Sequence, residues 1–246
     1  MEGEFHVSIA AEHLTSWMGF PVTNSFLMSI VVLFVILNMA FLFNRVIALR
    51  PGKFQLGLEI VMDGYRTFIT ENLDNDAKTA NKFFPLLMTL VLFIFIANFL
   101  EFIPGVESIV VHSADHSTPL FRSLNADLNT TIALALISFF VIEITGVRRY
   151  GLRYFGRFFN FHSFMGFFVG LIELISELIR LVSFSFRLFG NIFAGGILIG
   201  VLTFFVPYIL PAPFMVFEMF VGLLQGVVFS LLTLFFVKMA LTEAEH

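Results

Sequence analysis

Long apolar runs occupy most of the first 150 residues. Three of them, at about 24–44, 83–103 and 128–147, are nearly free of charge. An α-helix rises 1.5 Å per residue, so about 20 apolar residues cross roughly 30 Å of hydrocarbon. The pattern therefore predicts three transmembrane spans.

Residues 53–72 follow a different pattern, in which apolar positions alternate with charged ones. The apolar positions recur at spacings of three and four residues: Phe54, Leu58, Val61, Tyr65 and Phe68. Such spacing gives a helix one apolar face and is typical of helices that lie on a membrane surface. It predicts a surface amphipathic helix, followed by a polar linker that reaches the second span.

Two further apolar stretches follow, at 163–205 and about 214–241, separated by a proline-containing segment. The first would form a helix of roughly 65 Å, about twice the thickness of the hydrocarbon core, with no hydrophilic turn inside it. We therefore expect residues 160–242 to form a hairpin of two long, strongly tilted membrane helices. Three glycine pairs of the GxxxG type would allow the two helices to approach closely: Gly166/Gly170, Gly196/Gly200 and Gly222/Gly226.

The predicted fold is a single polytopic all-α membrane domain over residues 1–246. It has three transmembrane spans within 24–147, a surface amphipathic helix at about 53–72, and a C-terminal hairpin of tilted helices. Arg45, Arg50 and Lys53 fall on one side of the membrane, and the basic residues of 148–157 return to that side two spans later. Basic loops are normally cytoplasmic. This places residues 1–23 outside, where 5–20 would form an interfacial helix or a loose tail.

Composition excludes several classes of protein. The chain of 246 residues is 58% hydrophobic and only 13% charged, against about 25% charged in ordinary soluble domains, which excludes a soluble enzyme. A net charge of −4 does not favour nucleic-acid binding. The chain contains no cysteine, so disulfides, thiol catalysis and Cys-ligated metals are excluded.

No cofactor, metal or nucleotide site is predicted. The segment from Gly151 to Arg157 approaches a phosphate-binding loop but lacks the Lys and the Ser or Thr that the motif requires. We therefore expect no direct ATP binding. His112 and His116 could ligate a metal if they lay on a helix, but an exposed polar loop over 105–127 is the favoured interpretation.

The stretch 173–195 carries polar residues where an apolar helix is expected. On a helix they fall within an arc of roughly 120°: Glu173, Ser176, Glu177, Arg180, Ser183, Arg187, Asn191, Ala194 and Gly195. Each charge inside a membrane costs at least ~2.5 kcal/mol. This polar stripe must therefore face water, other polar groups or a partner.

The two arginines of the stripe have different neighbours. Arg180 has Glu177 three residues before it and can pair within its own helix. Arg187 has no acidic residue three or four positions away, and a buried cation needs a carboxylate from elsewhere. Three solutions stay open: Arg187 extends to the interface, pairs with Glu218 on the returning helix, or meets a carboxylate of another polypeptide.

The returning helix carries a second polar face. Glu218, Gly222 and Gln225 share it by spacings of four and three residues. They could pass protons, bind an ion, or form an interhelical hydrogen-bonded pair. Glu101 lies near the end of the second span, and we expect its side chain to extend to the interface.

One segment of the stripe has a recognisable sequence. Residues 185–195, SFRLFGNIFAG, resemble the signature of subunit a of the F-type ATP synthase. Other segments are similar to that family in the same order: NFLEFIP at 98–104, Thr118-Pro119, NADLN at 125–129, and Gln225 within LLQGVVFSLLT. The resemblance covers about residues 24–242.

The resemblance implies a proton-channel stator that is not itself an enzyme. It would lie against a ring of c subunits and bind peripheral-stalk b subunits, in a bacterial plasma (inner) membrane rather than an organellar one. Arg187 would separate two aqueous half-channels. The implied proton pathway consists of Glu173, Glu177, Asn191, Glu218 and Gln225, with Asp127 as a candidate entrance.

The sequence departs from the family at one pair of positions. Many bacterial members have Glu where this chain has Gly196 and His where it has Glu218. The alternatives to a stator are a stand-alone ion channel or secondary transporter, and a structural membrane protein. The absence of an internal repeat disfavours the transporter, and the four-charge stripe disfavours the structural protein.

Overall fold

Helices make up most of the chain. The structure is a computed structural model that describes residues 11–17, 20–48, 52–103, 109–112, 117–151, 154, 156, 158, 164–207 and 209–242. Six α-helices lie in these ranges: α1 Asn24–Val46, α2 Lys53–Asn72, α3 Ala77–Glu101, α4 Leu128–Tyr150, α5 Phe164–Phe205 and α6 Pro211–Thr242. All except α2 are long and apolar enough to cross a membrane.

Two helix starts differ from the sequence expectation. Helix α3 begins at Ala77, so residues 77–82 are helical rather than a linker. Asp76 caps it by accepting hydrogen bonds from Lys78 N at 3.0 Å and Thr79 N at 3.2 Å. The hydrogen bond from the Thr79 hydroxyl is the main cause of the lowered pKa of Asp76. Helix α6 begins at Pro211, since proline is tolerated in a first helical turn.

Two short antiparallel strand pairs lie outside the helices. β1 (His13–Trp17) pairs with β2 (Phe20–Thr23), and β3 (Val110–His112) pairs with β4 (Ser117–Pro119). The prediction of an interfacial helix or a loose tail over residues 5–20 is therefore wrong for β1. Backbone pairing satisfies polar groups there that a single short segment could not satisfy alone.

The remaining predictions for residues 5–20 and for the loop at 105–127 concern residues that lie partly outside the described ranges. His112 lies on β3 rather than on a helix, while residues 5–10 and His116 are not among the described residues. In the part of the chain that is described, no three His, Cys, Asp or Glu residues cluster as metal ligands would.

The chain divides into two compact units. Unit 1 comprises residues 1–40, 91–131 and 185–227. Its apolar core joins α1, α3 and the segment before α4. The buried members are Met28, Val32, Ile96, Ala97, Leu100 and Leu124. Contacts among these side chains hold the segment before α4 against α1 and α3.

Unit 2 comprises residues 41–90, 132–184 and 228–246. Its core brings α2 against α3, α4 and α6. The buried members are Ile69, Leu73, Ala80, Phe83, Leu87, Ile142, Leu234, Val237 and Ala240. Tyr65 adds a polar anchor, because its hydroxyl lies 2.5 Å from Ser230 Oγ, which donates to Leu87 O. Burial raises the pKa of Tyr65, and the Ser230 hydrogen bond opposes that shift.

The face of α2 that packs is not the whole predicted apolar face. Ile69 is fully buried, whereas Phe54 and Val61 keep 77% and 60% of their surface exposed. The pattern of apolar positions gave the helix and its period correctly. The choice of packing face depends on partners in α3, α4 and α6, which periodicity along α2 cannot reveal.

Gly222 and Gly226 face α3 rather than α5. A Cβ added at Gly226 would lie 3.0 Å from the Val91 carbonyl oxygen, and one at Gly222 would lie 3.0 Å from Asn98 Cβ. The expectation that this pair serves contact between α5 and α6 is therefore wrong. The glycines instead let the α6 backbone approach α3.

We predict that Gly226→Leu destabilises the protein by roughly 1–3 kcal/mol, because its side chain would meet a backbone carbonyl that cannot rotate away. Gly64→Leu is the matched control, since an added Cβ at Gly64 has no atom within 4 Å. Thermal unfolding in detergent should show a lower midpoint for Gly226→Leu alone. Equal midpoints for the two variants would contradict the close approach of α6 to α3.

Candidate functional site

Helix α5 presents two contrasting faces in unit 1. On one face Leu188 and Ile192 are fully buried, and Ser185 Oγ lies 3.0 Å from Thr131 Oγ1 of α4. The other face is exposed and carries part of the polar stripe: Arg187, Asn191 and Ala194. One side of the helix is therefore covered by this chain while the other is left for its surroundings.

Arg187 lies on the exposed face of α5 among small residues. A Cβ added at Gly190 would have no atom within 4 Å, and Ala194 lies one turn further on. Gly190 therefore adds no bulk beside Arg187, and the approachability of the guanidinium stays a prediction. A cation facing lipid near the middle of a membrane costs at least ~2.5 kcal/mol. Another polypeptide is a better neighbour for this face than lipid.

Asn191 connects the exposed face to the interior. Its Nδ2 donates to Gln225 Oε1 of α6 at 2.9 Å. Gln225 is 5% exposed, and its Nε2 has no acceptor among the described residues. The sequence placed Asn191 and Gln225 in one pathway, and the structure brings them into direct contact.

Glu218 lies one α5 turn away from that contact, against Gly195. It is buried, and a Cβ added at Gly195 would overlap its carboxylate. Glycine is therefore required at 195 for the Glu218 carboxylate to occupy this position. The contacts of α5 with α6 in unit 1 run antiparallel, with 191 opposite 225 and 195 opposite 218.

Glu101 lies close to these residues, although the sequence analysis did not include it among the site candidates. It is half-buried, and its Oε2 accepts a hydrogen bond from Ser123 Oγ at 2.6 Å. A Cβ added at Gly196 would lie 3.9 Å from Glu101 Oε1. Glu101 and Glu218 thus approach two consecutive glycines of α5. The sequence could have pointed to Glu101, because this residue lies within NFLEFIP, one of the segments that resemble the family.

A chain of buried amides supports the site. Asn125 Nδ2 donates to Asn98 Oδ1 at 2.6 Å, and Asn98 Nδ2 donates to the carbonyl of Gly222 at 3.1 Å. Both asparagines are almost fully buried. Gly222 is one helical turn after Glu218, so these hydrogen bonds fix the part of α6 that carries the carboxylate.

Asp127 lies at the start of α4. It is buried, and its Oδ1 accepts hydrogen bonds from Asn129 N at 3.0 Å and Asn129 Nδ2 at 3.2 Å. These contacts are those of a helix N-cap. Its role as a pathway entrance stays a prediction.

The rest of the polar stripe belongs to unit 2. Glu177 is buried and accepts hydrogen bonds from Arg180 Nη1 at 3.0 and 2.9 Å. The predicted pairing of Arg180 within its own helix is confirmed. The guanidinium also stacks over Phe236 of α6, with Cζ 3.8 Å from the ring centroid. Glu173 is half-buried one turn before Glu177.

Known proteins match this chain over nearly its full length. The family described as ATP synthase A chain matches residues 25–238. The chain is 34% identical over 220 residues to ATP synthase subunit a of Sulfurihydrogenibium sp. (strain YO3AOP1), covering 89% of this chain and 98% of that protein. It is 32% identical over 247 residues to ATP synthase subunit a of Mycobacterium bovis (strain ATCC BAA-935 / AF2122/97), covering 98% and 96%.

The chain belongs to the ATP synthase subunit a family. It is a non-catalytic, multi-pass membrane subunit of the Fo sector, concerned with proton transport for ATP synthesis. The expectation from SFRLFGNIFAG is thereby confirmed at the level of the family. Family membership favours a subunit of a larger complex over a transporter that acts alone.

We predict that Gly195→Ala lowers ATP-driven proton uptake about tenfold, equivalent to ~1.4 kcal/mol of barrier, because the new methyl group displaces the Glu218 carboxylate. The adjacent Gly196→Ala is the matched control, since its Cβ would make only an ordinary 3.9 Å contact. Uptake is measured in inverted membrane vesicles at equal subunit abundance. Similar uptake by the two variants would show that the contact between Gly195 and Glu218 does not matter for transport.

Proposed function

We propose that this subunit is the stator along which protons enter and leave a rotating c ring, through two half-channels separated by Arg187. The observation that carries this proposal is the exposed face of α5. There Arg187 lies among small residues, and Asn191 joins the same face to the buried Gln225. A contact surface and a polar interior are thus linked by one hydrogen bond.

Arg187 acts on carboxylates that the ring presents to it. A fixed guanidinium close to a carboxylate favours the ionised form, so each ring carboxylate loses its proton as it passes. The same positive charge repels protons and keeps the two half-channels from joining. The driving force is about 2.3 kcal/mol per charge for each 100 mV of membrane potential.

The first half-channel follows the polar residues of unit 1. Glu218 is the proton relay, and Glu101 is a second carboxylate that approaches the neighbouring glycine at 196. Gln225 and Asn191 complete the path toward Arg187. Many bacterial members have Glu at position 196, and glycine there leaves Glu218 and Glu101 as the carboxylates of this path.

The second half-channel follows Glu173 and Glu177 in unit 2. Pairing with Arg180 satisfies the Glu177 carboxylate and fixes its orientation although it is buried. Such a pair lowers the cost of placing charge in the membrane. Glu173 is half-buried and can meet water from one side.

The proposed function also implies how the subunit lies in the membrane and which partners it contacts. Helix α5, with 42 residues, is roughly 63 Å long and must lie strongly tilted to stay within about 30 Å of hydrocarbon. A tilted hairpin of α5 and α6 would follow the curved outer surface of a c ring. Stalk b subunits would bind elsewhere, and the basic helix ends at Arg45 and Arg148 would face the bacterial cytoplasm.

We predict that Arg187→Ala abolishes coupled ATP synthesis while the complex still assembles. Arg187→Lys should also lose most activity, because a point charge lacks the planar fork of the guanidinium. Arg180→Ala is the control on the same helix and should be milder, since Arg180 serves Glu177 within its own subunit. ATP synthesis is measured in energised vesicles. Wild-type synthesis by an assembled Arg187→Ala complex would refute the mechanism.

We predict that Glu218→Gln lowers proton flux about tenfold, or ~1.4 kcal/mol in barrier, with subunit abundance unchanged. The substitution is nearly isosteric, so it removes the titratable group and keeps the packing against Gly195. Flux is measured as passive proton conduction through Fo in vesicles stripped of the soluble ATPase. Normal flux at normal abundance would eliminate Glu218 as the relay.

A further inference from the structure

Two cavities of unit 2 meet at Lys238. The first, of about 360 Å³, is an apolar groove formed by α6 and the end of α2. The residues that matter along it are Phe68, Val228, Leu231, Leu232 and Phe235. The second, of about 290 Å³, is a polar recess whose lining includes Asp74, Asp76, Arg149 and Lys238. One side chain therefore borders both an apolar and a charged space.

The apolar groove and the polar recess are arranged like the acyl chain and the head group of a membrane lipid. Lys238 lies four residues before the end of α6, and Arg149 lies one residue before the end of α4. The groove runs from there back to Val228, ten residues or about 15 Å of helix. That length is half of the ~30 Å hydrocarbon thickness, so it equals one leaflet.

The size of the groove favours an acyl chain over a protein helix. A helix about 10 Å wide and 15 Å long occupies roughly 1,200 Å³, so the groove could enclose only part of it. The groove also ends at charged groups instead of continuing along α6. A single hydrocarbon chain with a polar head fits both facts.

The charges of the recess balance. Two acidic and two basic side chains border it, so a purely anionic head group would meet as many repulsive as attractive charges. Lys238 Nζ uses one of its three N–H donors on Asp74 Oδ1 at 2.7 Å. Both oxygens of Asp76 are engaged by the α3 cap. Asp74, whose side chain is 71% exposed, is therefore the acid available to a ligand.

We propose that unit 2 binds one phospholipid with a primary-amine head group, of the phosphatidylethanolamine type. Its phosphate lies between Lys238 and Arg149, its ammonium meets Asp74, and one acyl chain fills the groove along α6. The lipid would join the ends of α2, α4 and α6 at the membrane boundary. The inference requires only that the chain is embedded in a membrane, so it stands or falls independently of the proton pathway.

Native mass spectrometry of the full-length subunit, delipidated and titrated with lipids of identical acyl chains, tests this proposal. We expect one phosphatidylethanolamine to be retained at about fivefold lower concentration than phosphatidylglycerol or phosphatidylcholine. Phosphatidylglycerol has no ammonium group, and the ammonium group of phosphatidylcholine has no N–H donors. Tighter binding of phosphatidylglycerol, or no preference among the three, would overturn the proposal.

Variants separate the contributions of the two cavities. Lys238→Gln should weaken phosphatidylethanolamine binding about tenfold, and Asp74→Asn should remove the preference over phosphatidylglycerol. Leu231→Trp should fill the groove and weaken all three lipids alike. Lys78→Gln is the matched control, since Lys78 is exposed near the same helix ends but borders neither cavity. An equal loss in Lys78→Gln and Lys238→Gln, or an unchanged preference in Asp74→Asn, would contradict the assigned contacts.

A photocrosslinking amino acid at position 231 in the intact complex identifies the occupant of the groove directly. Crosslinks to lipid support the proposal. Crosslinks predominantly to another protein subunit would overturn it, because a protein helix would then occupy the space assigned to the acyl chain.

Discussion

The position of α6 depends on how closely its backbone can approach α3. An added Cβ at Gly222 or Gly226 would lie only 3.0 Å from Asn98 Cβ or the Val91 carbonyl oxygen, so a larger residue at either position would press α6 away from α3. Asn98 then reaches the Gly222 carbonyl, and Asn125 reaches Asn98. In a bilayer no water is available to satisfy these amides, so they must bond to one another. The polar residues of α6 can hold one orientation because this part of the helix is fixed.

The same fixed segment explains how α5 can keep an uncovered polar face. Gln225 is buried beside the α3 contact and accepts the hydrogen bond of Asn191. Ser185 and Thr131 hold the opposite side of α5. With both sides of the helix attached, its remaining face can carry a charge without rotating to hide it. The proposed stator function would require such a rigid surface.

The existence of the long helices followed from the sequence, because apolar runs in a bilayer admit few other structures, although α3 and α6 begin earlier than their apolar runs. The pairing of Arg180 with Glu177 also followed, since residues three apart on a helix are neighbours. Features that depend on contacts between distant segments could not be predicted from the sequence. Two examples are the packing face of α2 and the partner of Gly222 and Gly226, because each depends on which helices are adjacent. The strands β1 and β2 were missed because mixed polar and apolar residues suit several structures when no core is specified.

The contact between Gly195 and Glu218 has a consequence for how this subunit can evolve. A single volume, bordered by α5 and α6, is filled from α6 alone, and the α5 backbone leaves no room for a second side chain. The sizes of the residues at 195 and 218 therefore constrain each other. A lineage that enlarges the residue at 195 must shorten or redirect the side chain at 218, so we expect the two positions to change together.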